Sequence, residues 1–239
     1  MSDPASAVER ITGISSMATR QLLVELGDAY ERQSGRQVTV ESVGGVDALR
    51  RVRDGEAFDF IVLAANAIED LAAAGRVDRA TRTDLARSGI AIAIRAGAPR
   101  PDVSTESAVR NAVLQARSVG YSTGPSGVHL ARLFERWGIA EAVAPRLAQA
   151  APGIPVGTLV ARGDVELGFQ QLSELLHVPG IEVIGKLPSD IQAVTVFSAA
   201  VCTASKRPAE ARALLSFLAS PESDAAIRGH GMEPARSGS

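Results

Sequence analysis

Cysteine is nearly absent. The 239-residue chain has one, Cys202, so no disulfide can form within it and no cysteine-based metal cluster can be assembled. Histidine is almost as scarce: His129, His177 and His230 lie far apart along the chain. That spacing argues against a zinc enzyme, and neither a metal nor a cofactor is expected. An excess of one charge is missing too, with 25 Lys and Arg against 27 Asp and Glu and a formal net charge of −2. A broad nucleic-acid or anionic-membrane surface needs a basic excess. No nucleic-acid partner is therefore expected, and any anion site must be local. Lysine is confined to Lys186 and Lys206; abundant Arg and Ala beside so little Lys is the composition of a GC-rich genome. No apolar run reaches membrane-spanning length, so no direct membrane insertion is expected. The opening Met1-Ser2-Asp3-Pro4-Ala5-Ser6-Ala7 has neither a basic nor an apolar signal region. The expected location is periplasmic if a leader was removed and cytoplasmic if the N-terminus is native. No repeat of fixed period and no low-complexity segment is visible.

What is present is an α/β alternation. Apolar residues make up 46% of the chain, enough for one large or two intermediate cores. Short β-like runs at 8–14, 37–43, 58–63, 88–95, 118–121, 165–169 and 181–185 alternate with helical patterns at 17–34, 46–54, 67–74, 105–115, 128–137, 155–162 and from 172. A long β-rich run covers 192–203, and two helices, 208–218 and 221–228, carry Pro208 and Pro221 in their first turns. Residues 237–239 read as a frayed end. The turn-rich stretch 96–101 reads as a crossing between lobes and the run 192–203 as the return crossing. The expected division is residues 1–94 and 196–239 in lobe 1 and 95–195 in lobe 2.

Several strands end in small or hydroxyl residues with a helix directly behind: Ser15-Ser16 before Met17, Gly44-Gly45-Val46, Ala64-Ala65-Asn66, and Ser122-Thr123-Gly124-Pro125-Ser126-Gly127 before Val128. Helix N-termini leave N–H groups unpaired and carry partial positive charge, and small residues let an anion approach them. Any one such turn is equally a simple N-cap. Four together point to a shared cleft at the carboxyl ends of the strands. Gly124-Pro125-Ser126-Gly127 lacks the Gly-Lys-Ser/Thr ending of a nucleotide loop. Gly13-x-Ser15 lacks the later glycine of a nucleophile elbow. His129 is a candidate to bind a carboxylate or move a proton, and equally a solvent-facing or capping histidine. Gln170-Gln171 would hydrogen-bond a polar ligand or form a polar loop. Glu174 reads as a base or as a first-turn acid favoured by the helix dipole. Cys202 is expected to be buried and inert, and Trp137 to belong to the core.

The segments ISSMATRQLLVELGDAYERQSGRQVTVESVGGVDALRRVRDGEAFDFIVLAANAIEDLAAAGRV, YSTGPSGVHLARLFERWGI, VARGDVELGFQQLSEL and ALLSFLASPESDAAIRGHGMEP occur in an order that resembles the molybdate-binding-protein-like solute receptors of bacteria. The resemblance covers nearly the whole chain. It implies an α/β fold of the type 2 periplasmic-binding class: two lobes, two crossing strands and a ligand cleft between them. It places Ser15, Ser16 and the turn at Gly44, Gly45 and Val46 at first-lobe anion positions. A second-lobe Tyr of molybdate receptors would fall near Gln170-Gln171, where this chain has GFQQLSEL. That variant is closer to a subgroup resembling aconitate isomerase, an enzyme of tricarboxylate double-bond migration, so an organic carboxylate is the expected ligand class.

Three functions follow as expectations. The first is a non-catalytic solute-binding component of an ABC-type importer, whose partners are a small anion and the membrane component of the transporter. Lobe 2 would close through Ser122, Thr123, Ser126, Gly127, Val128, His129, Gln170 and Gln171, hinging near residues 95–98 and 195–199. The second is a carboxylate isomerase or tautomerase with His129 or Glu174 as base and Tyr121 as a remoter candidate. The third is a cytoplasmic ligand sensor, which would need a separate DNA-binding partner because no helix-turn-helix precedes residue 8.

Overall fold

A computed structural model describes residues 10–236. The first two residues of the expected strand 8–14 and the expected frayed end at 237–239 lie outside that range. The first lobe opens with β1 (Arg10–Ser16), a 3-10 turn (Met17–Thr19), α1 (Arg20–Ser34), β2 (Gln37–Val43), α2 (Gly45–Arg53), β3 (Phe60–Ala64) and α3 (Ala65–Ala73). A long strand, β4 (Thr83–Arg95), leaves it. The second lobe holds α4 (Glu106–Gln115), β5 (Val119–Tyr121), α5 (Pro125–Arg136), α6 (Ala140–Val143), β6 (Leu147–Gln149), α7 (Val156–Arg162), β7 (Leu167–Gln171), α8 (Leu172–Leu175) and β8 (Ile181–Lys186). Strand β9 (Val194–Val201) returns, and α9 (Pro208–Leu218), α10 (Asp224–Gly229) and β10 (Glu233–Pro234) complete the first lobe. Strands β6 and β10, of three and two residues, were not read from the sequence; β5 is equally short but is marked by the turn and helix pattern that follow it.

Strand order is β2-β1-β3-β9-β4-β7-β5-β6, with β8 and β10 also pairing with β4. β1 is parallel to β2 and β3, and β5 is parallel to β6 and β7, whereas β9 and β4 run antiparallel to their neighbours. Parallel pairs need helical crossovers, which cover both faces of each lobe's sheet. The two-residue period then divides the core. In the first lobe Ile11, Phe60 and Val62 pack under α1 and α9, while Ile14, Ile61 and Leu63 pack under α2 and α3. In the second, Ile90, Ile92 and Ile94 of β4 face α4 and α5, and Ala91 and Ala93 face α8. Burying each such isoleucine contributes about 1.5–3 kcal/mol.

Two expectations about the crossing are corrected. β4 begins at Thr83, not 88, and changes partners in mid-strand. Thr83 to Gly89 pair with β9, and Ile90 to Arg95 pair with β7 and β8. The first passage between lobes is therefore Gly89–Ile90. Residues 96–101 instead begin with a turn at the far end of the second lobe, where the Ala98 amide donates to Arg95 O at 3.0 Å. Residues 195–199 are not a loose link either, since Thr195 and Ala199 are in register with Ser88 and Thr83 within the first-lobe sheet. The return passage is Gln192–Ala193. Gln192 clips the two passages together: its Oε1 accepts from Ile90 N at 2.7 Å, and its Nε2 donates to Ile90 O at 3.0 Å and Leu187 O at 3.1 Å. Gly89 makes room for that amide, because a Cβ there would lie 3.2 Å from the Gln192 Cδ.

Sequence distance also misleads for the histidines. His177 Nε2 and His230 Nδ1 meet at 3.1 Å, and His230 Nε2 lies 2.8 Å from Glu25 Oε2. Among the described residues no group of three His, Cys, Asp or Glu could hold a metal ion. No helix among them is long and apolar enough to cross a membrane.

Candidate functional site

A cavity of about 470 Å³ lies between the lobes. Its first-lobe wall comes from three strand ends: Ser16 and Met17, then Gly44, Gly45 and Val46, then Ala64 and Asn66. The helices behind the last two turns, α2 and α3, have Gly44 and Ala64 as N-caps, and neither receives a side-chain cap. Their first amides are thus left for water or a ligand. The Ser16 hydroxyl is buried and has no partner. Ser15 and Ala65, expected on this wall, do not line it. Successive strand side chains point to opposite faces, and the Ser15 hydroxyl is directed at Ser42 Oγ, 2.8 Å away, where it braces β1 against β2. Ala65 is the first residue inside α3 and lies between the two wall residues, Ala64 and Asn66.

The second-lobe wall contains Ser122, Thr123, Ser126, Val128 and His129 from the β5–α5 turn, with Gln170, Gln171 and Glu174 from β7–α8. α5 starts at Pro125, three residues before the expected 128, because proline suits the first helical turn. Gly124 is its N-cap and no side chain caps it. Ser122 Oγ accepts from Gly124 N at 3.2 Å and pairs with Ser126 Oγ at 2.9 Å. Gly127 is corrected from wall to frame: a Cβ there would come within 1.8 Å of Ser122 O, so only glycine lets α5 start so close to the turn. Tyr121 also stays off the wall and packs against the second-lobe core. Trp137 is partly buried against the same core, its Nε1 donating to Glu106 Oε1 at 2.6 Å.

His129 Nε2 lies 2.8 Å from Ile191 O. A carbonyl only accepts, so Nε2 carries the proton and Nδ1 is the ring's remaining acceptor. Gln170 lines the cavity, and both ends of its amide are held: Oε1 accepts from Val156 N at 2.7 Å and Nε2 donates to Glu174 Oε1 at 2.7 Å. It positions Glu174. Gln171 differs. Its Nε2 donates to Thr195 Oγ1 at 2.8 Å, while its buried Oε1 has no partner. Burial pushes the Glu174 carboxyl up to about 8, only partly offset by the hydrogen bond from Gln170. The residue keeps intermediate exposure because it faces the cavity and a side pocket of about 100 Å³ beside Met17, Ser173 and His177. Cys202 sits in the first-lobe core, where burial and then the Asp59 charge push its thiol up to about 12, so it stays protonated.

Some wall residues were missed. Arg132 follows His129 by three positions, hence on the same face of α5. The turn at Ala151, Gly153 and Ile154 closes the mouth, where a Cβ on Gly44 would lie 3.2 Å from Pro152 Cβ. Its Ala-Pro-Gly-Ile-Pro composition was the available signal. Asp70 and Thr195 also line the cavity.

Two α/β lobes, two passages and a cleft ringed by uncapped helix starts define a two-lobed binding protein. Residues 11–233 match the family of bacterial extracellular solute-binding proteins, and the chain belongs to it. An aconitate isomerase from Pseudomonas sp is 38% identical over 236 residues, covering 96% of this chain and 90% of that protein. The periplasmic molybdate-binding protein of Azotobacter vinelandii shares the fold with a TM-score of 0.79 at 17% identity, covering 93% of this chain and 98% of that one. A tungstate-binding protein from Desulfovibrio alaskensis superposes with a TM-score of 0.68 at 15% identity, covering 96% and 100%.

Proposed function

We propose that the protein closes over a small organic carboxylate and moves its double bond by proton transfer, as an isomerase of the aconitate isomerase type. The observation that carries this reading is Glu174, a carboxyl in the cleft wall, held by Gln170 and poised near neutrality. A proton carrier works best with a pKa near the working pH. The uncapped starts of α2 and α3 would hold one substrate carboxylate and stabilise the charge that develops on it. Ionised Glu174 would take a proton from the methylene carbon next to the double bond. The electron pair of that C–H bond forms the new double bond, the old one opens, and the Glu174 carboxyl, after exchanging its proton with solvent, protonates the far alkene carbon. No electron acceptor is needed. The 38% identity to an aconitate isomerase supports the assignment.

The test is incubation of the full chain with cis-aconitate in D₂O, followed by NMR. Appearance of the trans isomer with deuterium at the methylene carbon is expected, and both should be lost in Glu174→Gln. Binding without either change at high protein concentration would sink the enzyme reading. It would favour a second one, for which family membership speaks: a non-catalytic receptor outside the cytoplasm that delivers a small anion to an ABC-type importer.

A further inference from the structure

We infer that Arg132 selects for ligands with several carboxylates by receiving the group farthest from the first-lobe amides. The inference rests on the reading of the cleft as an organic-acid site. Among the described residues that line the cavity, Arg132 is the one Lys or Arg, and no ion pair or hydrogen bond engages it. By contrast Arg136, one turn further along α5, is paired with Glu106. Arg132 and His129 share a helix face, so both present to the cavity from the second lobe. The opposite wall offers neutral amides, the Ser16 hydroxyl and one carboxylate, Asp70, which has no ion pair with Arg132. A cavity of about 470 Å³ exceeds what one tetrahedral oxyanion fills and is in the range of organic-ligand sites. A guanidinium matches a planar carboxylate with two parallel hydrogen bonds, and its charge is permanent. A monocarboxylate anchored at α2 and α3 has no group left for it; a di- or tricarboxylate has.

The test is calorimetric titration of the full chain with crotonate, glutaconate and trans-aconitate, which carry one, two and three carboxylates on a similar unsaturated frame, and with molybdate. The variants are Arg132→Gln, Arg132→Lys and Asp70→Asn. Arg132 is exposed, so folding should survive, checked by thermal unfolding. Arg132→Gln is expected to weaken trans-aconitate by about tenfold to a hundredfold, as loss of charge-assisted bonds implies, and crotonate hardly at all. Arg132→Lys should recover part of the loss. Equal weakening of all three acids would overturn the inference, as would Asp70→Asn reproducing the effect, which would make Arg132 a latch between lobes. Wild-type protein that takes molybdate and none of the acids would instead bring down the organic-acid reading itself.

Discussion

On the first-lobe side of the cleft the polar groups are mostly backbone: the starts of α2 and α3 behind Gly44 and Ala64, with the Ser16 hydroxyl between. On the second-lobe side they are side chains: the permanently charged Arg132, the Glu174 carboxyl with its raised pKa, and the polar atoms of His129 and Gln171. Backbone amides cannot change protonation state, so apart from the Asp70 carboxylate this wall suits holding a fixed negative charge. A wall of acids and bases suits discrimination and proton movement. The division separates grip from chemistry, and substitutions on each side should therefore fail in different ways.

Glu174→Gln should separate them most. Turnover is expected to fall by about 10²–10⁴-fold, the usual worth of a positioned proton carrier, with affinity for the acid little changed. Stability should move as well, with a sign set by the raised pKa. The unfolded carboxyl ionises near 4.5, whereas the folded one holds its proton to about 8. Folding stability is therefore full below 4.5 and falls as pH rises to 8. The glutamine variant escapes that loss, so it should be the more stable protein at pH 8–9 and not at pH 4. Urea unfolding at both pH values checks this; parallel pH curves for the two proteins would show that Glu174 is not held as a neutral acid.

Gly45→Ala should break grip without costing stability. A methyl there would sit 3.6 Å from Ser16 Cβ, ordinary contact, and Gly45 is helical. The fold should gain about 0.4–1 kcal/mol from the stiffer unfolded chain. The same methyl stands where an anion would approach the amides, so binding should weaken by about 1.5–3 kcal/mol, one charge-assisted bond. Gly127→Ala should do the opposite. Its Cβ would overlap Ser122 O, forcing α5 away from the turn at a cost of about 1–3 kcal/mol. A lowered unfolding midpoint is the expected readout, and an unchanged one would mean the turn has slack.

Most of the alternation was legible because strands β1, β2 and β3 and helices α4 and α9 each carry a full period of apolar residues and a recognisable start. All four small-residue turns were legible as parts of one cleft for the same reason: each strand end is followed by a helix pattern. What stayed hidden depends on pairing. β4 reads as one apolar run, and nothing local marks Gly89–Ile90 as the point where its neighbours change lobes. Glu174 was legible as a candidate base, but the role of Gln170 as its positioning partner was hidden, since the Val156 amide that fixes the glutamine lies fourteen positions away. Ser15 was misplaced because adjacent serines look alike until the strand's pleat assigns them faces.

The smallest effect tests whether bare helix starts at the cleft are special. α4, remote from the cavity, begins conventionally: Thr105 Oγ1 accepts from Ala108 N at 3.1 Å. α2, α3 and α5, at the cavity, have Gly44, Ala64 and Gly124 in the same position and no capping side chain, although α10, off the cavity, also starts without one at Ser223. If the bare starts serve the ligand, supplying or removing a cap should couple to binding only at the cleft. Thr105→Ala should cost about 1 kcal/mol in unfolding and leave anion affinity unaltered. Gly44→Ser, which offers a hydroxyl to the α2 amides, should weaken anion binding by competing for the same donors. Thr105→Ala changing affinity as much as Gly44→Ser would mean that capping acts through global stability, and the contrast between the two kinds of helix start would lose its functional meaning.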